Sequence, residues 1–295
     1  MFSQTFGSTT IGLNGIVITV EVDISNGLPA LDIVGLPDTA VRESKERVRA
    51  AIKNSGFEFP SRRITINLAP ADLKKDSSGL DLPIAIAILA ASGQIILQHY
   101  QQYVFVSELS LEGKLRGISG VLPMAIHCSE QGIDQMIVAP ENTQEALLVK
   151  GLTVYAPTTL EQLVLHLNQV TQLLPTTKEP FSHPMSNDSE DFADVQGQFV
   201  AKRALEVAAS GGHNLLMTGP PGSGKTMLAR RITSILPVMS PREALEVTKI
   251  YSIAELLPTR TGLISTRPFR SPHHTISAAS MVGGGVNSKN KWNYT

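Results

Sequence analysis

Eight consecutive residues, Gly219-Pro220-Pro221-Gly222-Ser223-Gly224-Lys225-Thr226, have the types and order needed to hold a nucleoside triphosphate. The run fits G-x-x-x-x-G-K-[ST], in which glycines let backbone N–H groups turn inward around phosphates. Lys225 can then reach the β and γ oxygens, and the Thr226 hydroxyl can ligate Mg²⁺. Hydrolysis also needs an acidic partner for the metal, in such ATPases an aspartate that ends a later buried strand. The last aspartate of the chain is Asp194, upstream of the loop. The residues therefore point to ATP and Mg²⁺ binding, and catalysis is left without its acid. The structural alternative for the same eight residues is a Gly/Pro turn between two core elements.

Such a loop works only if a strand leads into it and a helix leaves it, because phosphate then sits at a helix N-terminus with its unpaired N–H groups and positive dipole end. His213 to Thr218 is predicted as a short buried strand. Lys225 to Leu236 is predicted as a helix, with Met227, Leu228, Ile232 and Ile235 apolar at helical spacing.

At 295 residues the chain has room for about two domains. Its 42% hydrophobic and 17% charged residues predict an ordinary soluble globular protein. The only cysteine, Cys128, rules out a disulfide within the chain and favours a cytoplasmic location. It lies in an apolar helical stretch and reads as a small core residue before a catalytic thiol. Met1 to Asn14 has neither a basic start nor a long apolar run, so no secretory signal is expected. Leu82 to Ala91 is too short to span a bilayer, so no membrane is expected among the partners. Residues 1–173 carry 12 Lys+Arg against 17 Asp+Glu and residues 191–295 carry 12 against 6, a net charge of −5 and of +6. A basic loop-bearing half suits polyanions, whether ATP or nucleic acid. A fragment that has lost its acidic half would give the same imbalance.

Residues 174–190 hold Pro175, Pro180 and Pro184 among polar residues with no apolar period, which predicts an exposed linker between domains at 1–173 and 191–295. In the first domain Gly15 to Ser25 alternates strictly and predicts a half-buried strand. Asp38 can cap a helix from Thr39 to Asn54, with Gly56 as its stop. Arg63 to Leu68 is predicted as a strand and Leu80 to Ala91 as a helix, and Tyr103 to Leu109 with Lys114 to Gly117 as a hairpin. Residues 121–131, 135–139, 141–150, 152–155 and 160–173 then follow as helix, strand, helix, strand, helix. The fold class is α/β with a layered core.

Along these elements the residues Val34 to Val41 (VGLPDTAV), Asn67 to Asp72 (NLAPAD) and Leu80 to Ala85 (LDLPIA) closely resemble the N-terminal domain of Mg-chelatase-like AAA+ ATPases of the ComM/YifB type. Asp191 to Gln198 (DFADVQGQ), the phosphate loop, Arg267 to Thr275 (RPFRSPHHT) and Gly283 to Gly285 resemble the same family. The likeness covers nearly the whole chain up to about Val286. Beyond it, Asn287 to Thr295 departs from the family, which proceeds to a hydrophobic strand ending in Asp-Glu, so a C-terminally truncated fragment is expected. The resemblance implies a Lon-protease-like (S5 domain 2-like) N-terminal α/β domain followed by a partial P-loop AAA+ domain. It implies a homo-oligomeric ring, a hexamer in the full-length form, with ATP between neighbouring subunits. For the ComM type it implies a DNA helicase that promotes branch migration during uptake of transforming DNA. The metal-coordinating acid, the polar sensor and the arginine finger of full members would come from beyond residue 295. What carries over is the backbone around Val195 to Gly197 near adenine, Gly219 to Gly224 around the phosphates, Lys225 on the β/γ oxygens and Thr226 on Mg²⁺.

Two rival functions remain open. The chelatase likeness permits an ATP-driven remodeller of a protein client. The Lon likeness permits a Ser–Lys peptidase, but Gly79 stands where the serine should be and Leu122 where the lysine should be, which predicts a non-catalytic domain with Ser78 as the only stand-in. Further features have plainer readings. Neighbouring His273 and His274 point in different directions in regular structure and suit packing or substrate contact better than a metal. Arg42, Lys45, Arg47, Arg49 and Lys53, interleaved with Glu43 and Glu46, predict a solvated helix face before a DNA groove. Ser240, Pro241 and Glu243 predict a capped helix start.

Overall fold

The alternating run that begins near Gly15 becomes β2 (Asn14–Ser25) in the computed structural model, which describes residues 1–75, 77–96, 102–177, 190–257, 262–272 and 275. Ile18, Val20, Val22 and Ile24 of β2 are buried on one face of a seven-stranded sheet. The sheet belongs to the first of two compact units, Met1–Glu179 with Lys249–Gly262; the second is Pro180–Thr248 with Leu263–Thr295.

The other strands are β1 (Phe2–Ile11), β3 (Ala30–Val34), β4 (Arg63–Ala69), β5 (Tyr103–Val106), β8 (Gln135–Val138) and β9 (Thr153–Tyr155), in the order β3-β4-β2-β1-β5-β8-β9. β2 runs antiparallel to β1 and β4, and the remaining neighbours are parallel. Because successive side chains alternate across a sheet, each strand feeds two cores. Phe105 and Ile137 join a cluster with Ile18, Ile64, Val48 and Ile86, while Val104, Val106, Met136 and Val138 join a second one with Met124 and Cys128. Helices α1 (Thr39–Asn54), α2 (Asp81–Ala91) and α5 (Leu160–Leu167) supply the first cluster; α3 (Val121–Glu130) and α4 (Thr143–Ala146) supply the second.

Asp38 caps α1 as expected, accepting from the Thr39 amide at 2.7 Å. Helix α2 is buried all round, so neither helical nor strand periodicity is visible in it. Its first residue, Asp81, is fully buried and ion-paired to Arg47 of α1, at 2.7 Å from Nε and 3.1 Å from Nη2. Arg47 thus does not belong to the solvated face predicted for α1; it turns inward and ties the two helices together. Burial pushes the Asp81 carboxyl up to about 6 in spite of the guanidinium beside it. Cys128 is buried as predicted, and desolvation pushes its thiol up to about 12, where it stays inert.

Several elements differ from the sequence expectations. β1 and β3 carry no alternating apolar signal. β1 is nonetheless central, because its buried Thr5 and Ser8 hydroxyls find acceptors in the carbonyls of Pro83 (3.0 Å) and Ile16 (2.8 Å). The segment 103–109 divides: β5 joins the main sheet, and only β6 (Glu108–Leu109) forms a hairpin with β7 (Leu115–Arg116). The break is at Ser107, whose hydroxyl donates to the carbonyls of Glu108 and Arg116. The helix expected to run to Leu173 stops at Asn168, where the side chain bonds the main chain of Gln94 and Ile96 and Gln169 turns left-handed.

The second unit contains α6 (Phe199–Gly211), α7 (Lys225–Ile235) and the first part of α8 (Pro241–Ile253), with α6 and α7 contributing to a small core of Phe192, Val195, Leu205 and Leu228. The strand expected over His213 to Thr218 is not formed. A strand needs a neighbour to exchange backbone bonds with, and among the described residues this unit offers only helices and turns. Leu216 is accordingly 87% exposed. Among the described residues no helix is long and apolar enough to cross a membrane. Much of the expected linker lies at 178–189, outside the described residues.

Candidate nucleotide-binding site

The phosphate loop is assembled by backbone conformation. Gly222 (φ +78) and Gly224 (φ +83) are both left-handed, and Gly224 is the N-cap of α7. A β-carbon on Gly222 would meet nothing within 4 Å, so this position demands the dihedral and not the space. The helical ladder starts at once, with the Leu228 amide donating to the Gly224 carbonyl at 3.0 Å. Residues 219–226 therefore place their turn at the N-terminal end of an eleven-residue helix, as the motif requires. The apolar face of α7 docks through Leu228, Ile232 and Ile235, while Met227, expected in the same stripe, is 40% exposed.

The Lys225 ammonium is held over the loop, donating to the carbonyls of Gly219 (2.9 Å) and Pro220 (2.8 Å) and to the Ser223 hydroxyl (3.2 Å). Among the described residues no carboxylate forms a salt bridge with it. Thr226 follows it in the first turn of α7 and is exposed. Among the described residues no group of three or more His, Cys, Asp or Glu could hold a metal by itself.

The second edge of the site is the turn before α6. Asp191 and Asp194 cap each other's backbone around the short turn Phe192–Asp194, and Phe192 inserts into the core with Val195. The Val195 side chain is thus unavailable to a ligand. Both of its main-chain groups are also engaged, the amide with the Phe192 carbonyl (3.3 Å) and the carbonyl with the Lys202 ammonium (3.0 Å). Gly197 is exposed and left-handed (φ +66). Sequence reasoning passed over α6 together with Lys202 and Gln198, whose amide donates to the Ser223 carbonyl at 3.3 Å. The available signal was Ala201, Leu205 and Ala208 at helical spacing after a start that lacks a Ser, Thr, Asp or Asn cap.

The capped start of α8 is present, with the Ser240 amide donating to Glu243 Oε2 at 2.7 Å and the Glu243 amide to Ser240 Oγ at 3.3 Å. Arg267, from the RPFRSPHHT run, donates to the other Glu243 oxygen at 3.0 Å and to the Pro237 carbonyl at 2.8 Å. The Ser240 amide and Arg267 together draw the Glu243 carboxyl down to about 2. His273, His274, Gly283 to Gly285 and Asn287 to Thr295 lie outside the described residues.

Among the described residues no Ser–Lys dyad is assembled in the sheet unit. A β-carbon on Gly79 would come within 2.4 Å of Ile118 Cδ1, and Leu122 is fully buried with its amide donating to Glu145 at 2.7 Å. Lys75, the nearest lysine in sequence to Ser78 among the described residues, donates its ammonium to the carbonyls of Gly35 and Pro70.

Comparison with known proteins agrees with this arrangement. Residues 20–142 match the family described as subunit ChlI of Mg-chelatase, and residues 191–291 match the family described as magnesium chelatase, subunit ChlI. The chain is 44% identical over 284 residues to the competence protein ComM of Haemophilus influenzae, covering 95% of this chain and 55% of that protein. It is 47% identical over 282 residues to the uncharacterized protein YifB of Salmonella typhimurium (94% and 54% covered) and 43% identical over 282 residues to an uncharacterized protein of Mycobacterium tuberculosis (96% and 56%). The chain thus spans just over half the length of these relatives. With one family match on the sheet-bearing unit and the other on the stretch that holds the glycine loop, the chain belongs to the Mg-chelatase-like proteins of the ComM/YifB type.

Proposed function

We propose that the chain is the nucleotide-binding part of an AAA+ protein that takes up ATP with Mg²⁺ at Gly219 to Thr226. The observation that carries this reading is the loop itself: two left-handed glycines opening α7 with the Lys225 ammonium held above them. Lys225 would exchange its carbonyl acceptors for β and γ phosphate oxygens, and Thr226 would give the metal one oxygen, the nucleotide and water giving the rest. The exposed backbone of Gln196 and Gly197 is the part of the α6 turn left to meet the base. No aspartate follows Asp194, so the residues 227–295 supply none to the metal, and we assign binding to this stretch and turnover to an acid from elsewhere.

In the whole protein we propose a cytoplasmic homo-oligomeric ring, hexameric as the resemblance implies, working on DNA as a branch-migration helicase. The name of the Haemophilus relative supports a link to competence. The family descriptions favour a second reading, an ATP-driven remodeller of a protein client. Binding of branched DNA that weakens steeply with salt supports the first, because phosphate contacts release counterions; no DNA binding at low salt supports the second. The nucleotide assignment is tested by titrating a fluorescent ATP analogue onto the 295-residue chain with Mg²⁺. Saturable binding is expected, and Lys225→Ala is expected to weaken it about 10- to 100-fold, the worth of hydrogen bonds to a charged group. Equal binding by the variant overturns the assignment.

A further inference from the structure

We infer that Gln198 is a positioning residue of the nucleotide site, fixing the phosphate loop to the turn that precedes α6; the inference rests on the nucleotide-binding reading above. Gln198 is the N-cap of α6, yet it is left-handed (φ +55, ψ 35) and its side chain makes no capping bond. A residue with a β-carbon is disfavoured there, and a side chain of this length brings none of the stabilisation that Ser, Thr, Asn or Asp gives at that position. What the conformation achieves is to send the amide to the phosphate loop, where Nε2 donates to the Ser223 carbonyl at 3.3 Å.

That carbonyl lies between the two left-handed glycines, Gly222 and Gly224. The peptide unit is planar and trans, so holding the Ser223 C=O toward Gln198 points the Gly224 N–H the opposite way. The Gly224 N–H is one of the donors the motif aims at phosphate. One turn further along α6, Lys202 donates to the Val195 carbonyl and so anchors the other end of the same turn. The segment 195–198 is therefore held at both ends. Its left-handed pair, Gly197 and Gln198, is kept in place by bonds that reach outside it.

A purely structural role and a positioning role separate in Gln198→Gly, because glycine adopts the left-handed conformation freely while losing the donor. Binding of a fluorescent ATP analogue is expected to weaken about 3- to 10-fold, the worth of one ordinary hydrogen bond. The melting temperature is expected to stay level or rise. Gln198→Met, which keeps the bulk and drops the donor, is expected to weaken binding by the same factor. Since the bond acts on the loop, the inhibition constant of inorganic tripolyphosphate in competition with the analogue should rise by the same factor in both variants. Unchanged binding by both variants, or losses that merely follow falling stability, overturn the positioning role. Lys225→Ala measured alongside keeps the two questions apart: if it binds like the parent chain the nucleotide reading itself falls, and if it loses binding while the Gln198 variants do not, only the present inference falls.

Discussion

The sheet unit and the loop unit solve the problem of burial in opposite ways. In the sheet unit every residue of α2 from Asp81 to Leu89 is buried, and the Thr5 and Ser8 hydroxyls of the central strand have been given acceptors. In the loop unit Phe199, Val200 and Leu216 are 83%, 87% and 87% exposed, and the segment leading to the phosphate loop has no strand to pair with among the described residues. The difference shows where chemistry can be carried. At Gly79, where the sequence resemblance led one to look for a nucleophile, Ile118 leaves no room for a β-carbon, whereas the phosphate loop leaves its backbone open on the end of one helix.

The sharpest way to test that contrast is to break the buried pair that locks α1 to α2. Arg47→Met leaves Asp81 without its counter-ion, and we expect a loss of about 3 kcal/mol at pH 8, scaled down from a wholly buried pair because the Arg47 side chain is 23% exposed. Hydrogen exchange at the α2 amides measures it. If the two units carry separate roles, affinity for a fluorescent ATP analogue should not change. A parallel loss of affinity would break the comparison.

A smaller effect follows from the same carboxyl. The folded Asp81 titrates at about 6 against 3.8 for an unperturbed aspartate, so between these values the folded chain binds more protons than the unfolded one. Its contribution to stability is fully present below about pH 4 and is lost as pH rises through 6. Relative to Asp81→Asn, which cannot titrate, the parent chain should lose on the order of 2–3 kcal/mol between pH 4 and pH 7.5. A difference that grows with pH would show that Arg47 outweighs desolvation, and the sheet unit would then owe its rigidity to the charge pair.

Legibility from sequence also divides by unit, for physical reasons. β2, α1 and β4 were readable because one face is buried and the other is wet, which writes period 2 or 3.6 into the chain. β1 was not, since its buried positions are Thr5, Gly7, Ser8, Thr9 and Thr10, small or polar residues, and the acceptors that Thr5 and Ser8 find at Pro83 and Ile16 are revealed by no local pattern. Arg47 was misjudged because its partner lies 34 residues away. In the loop unit the glycines and Lys225 were legible, as the motif encodes backbone dihedrals and a charge directly. The strand over His213 to Thr218 was predicted from apolar composition alone, and composition does not supply a neighbouring strand. Gln198 was read only as the end of the DFADVQGQ run and given no role of its own, because nothing in a sequence marks a glutamine as a left-handed cap.

The smallest effect is expected at Ser78, and it tests the contrast from the other side. A dyad needs a serine hydroxyl within hydrogen-bond reach of a neutral lysine. Lys75 has half of that requirement, since burial holds its ammonium below the usual lysine value. Its donors are nevertheless committed to two carbonyls, Gly35 and Pro70, and the side chain is fully enclosed, so neither the free lone pair nor the space of a general base is at hand. Ser78→Ala should therefore change stability by no more than about 0.5 kcal/mol, and casein should persist equally with both proteins. Casein degradation by the parent chain that Ser78→Ala abolishes would make the sheet unit an enzyme, and the contrast drawn between the enclosed unit and the open phosphate loop would no longer hold.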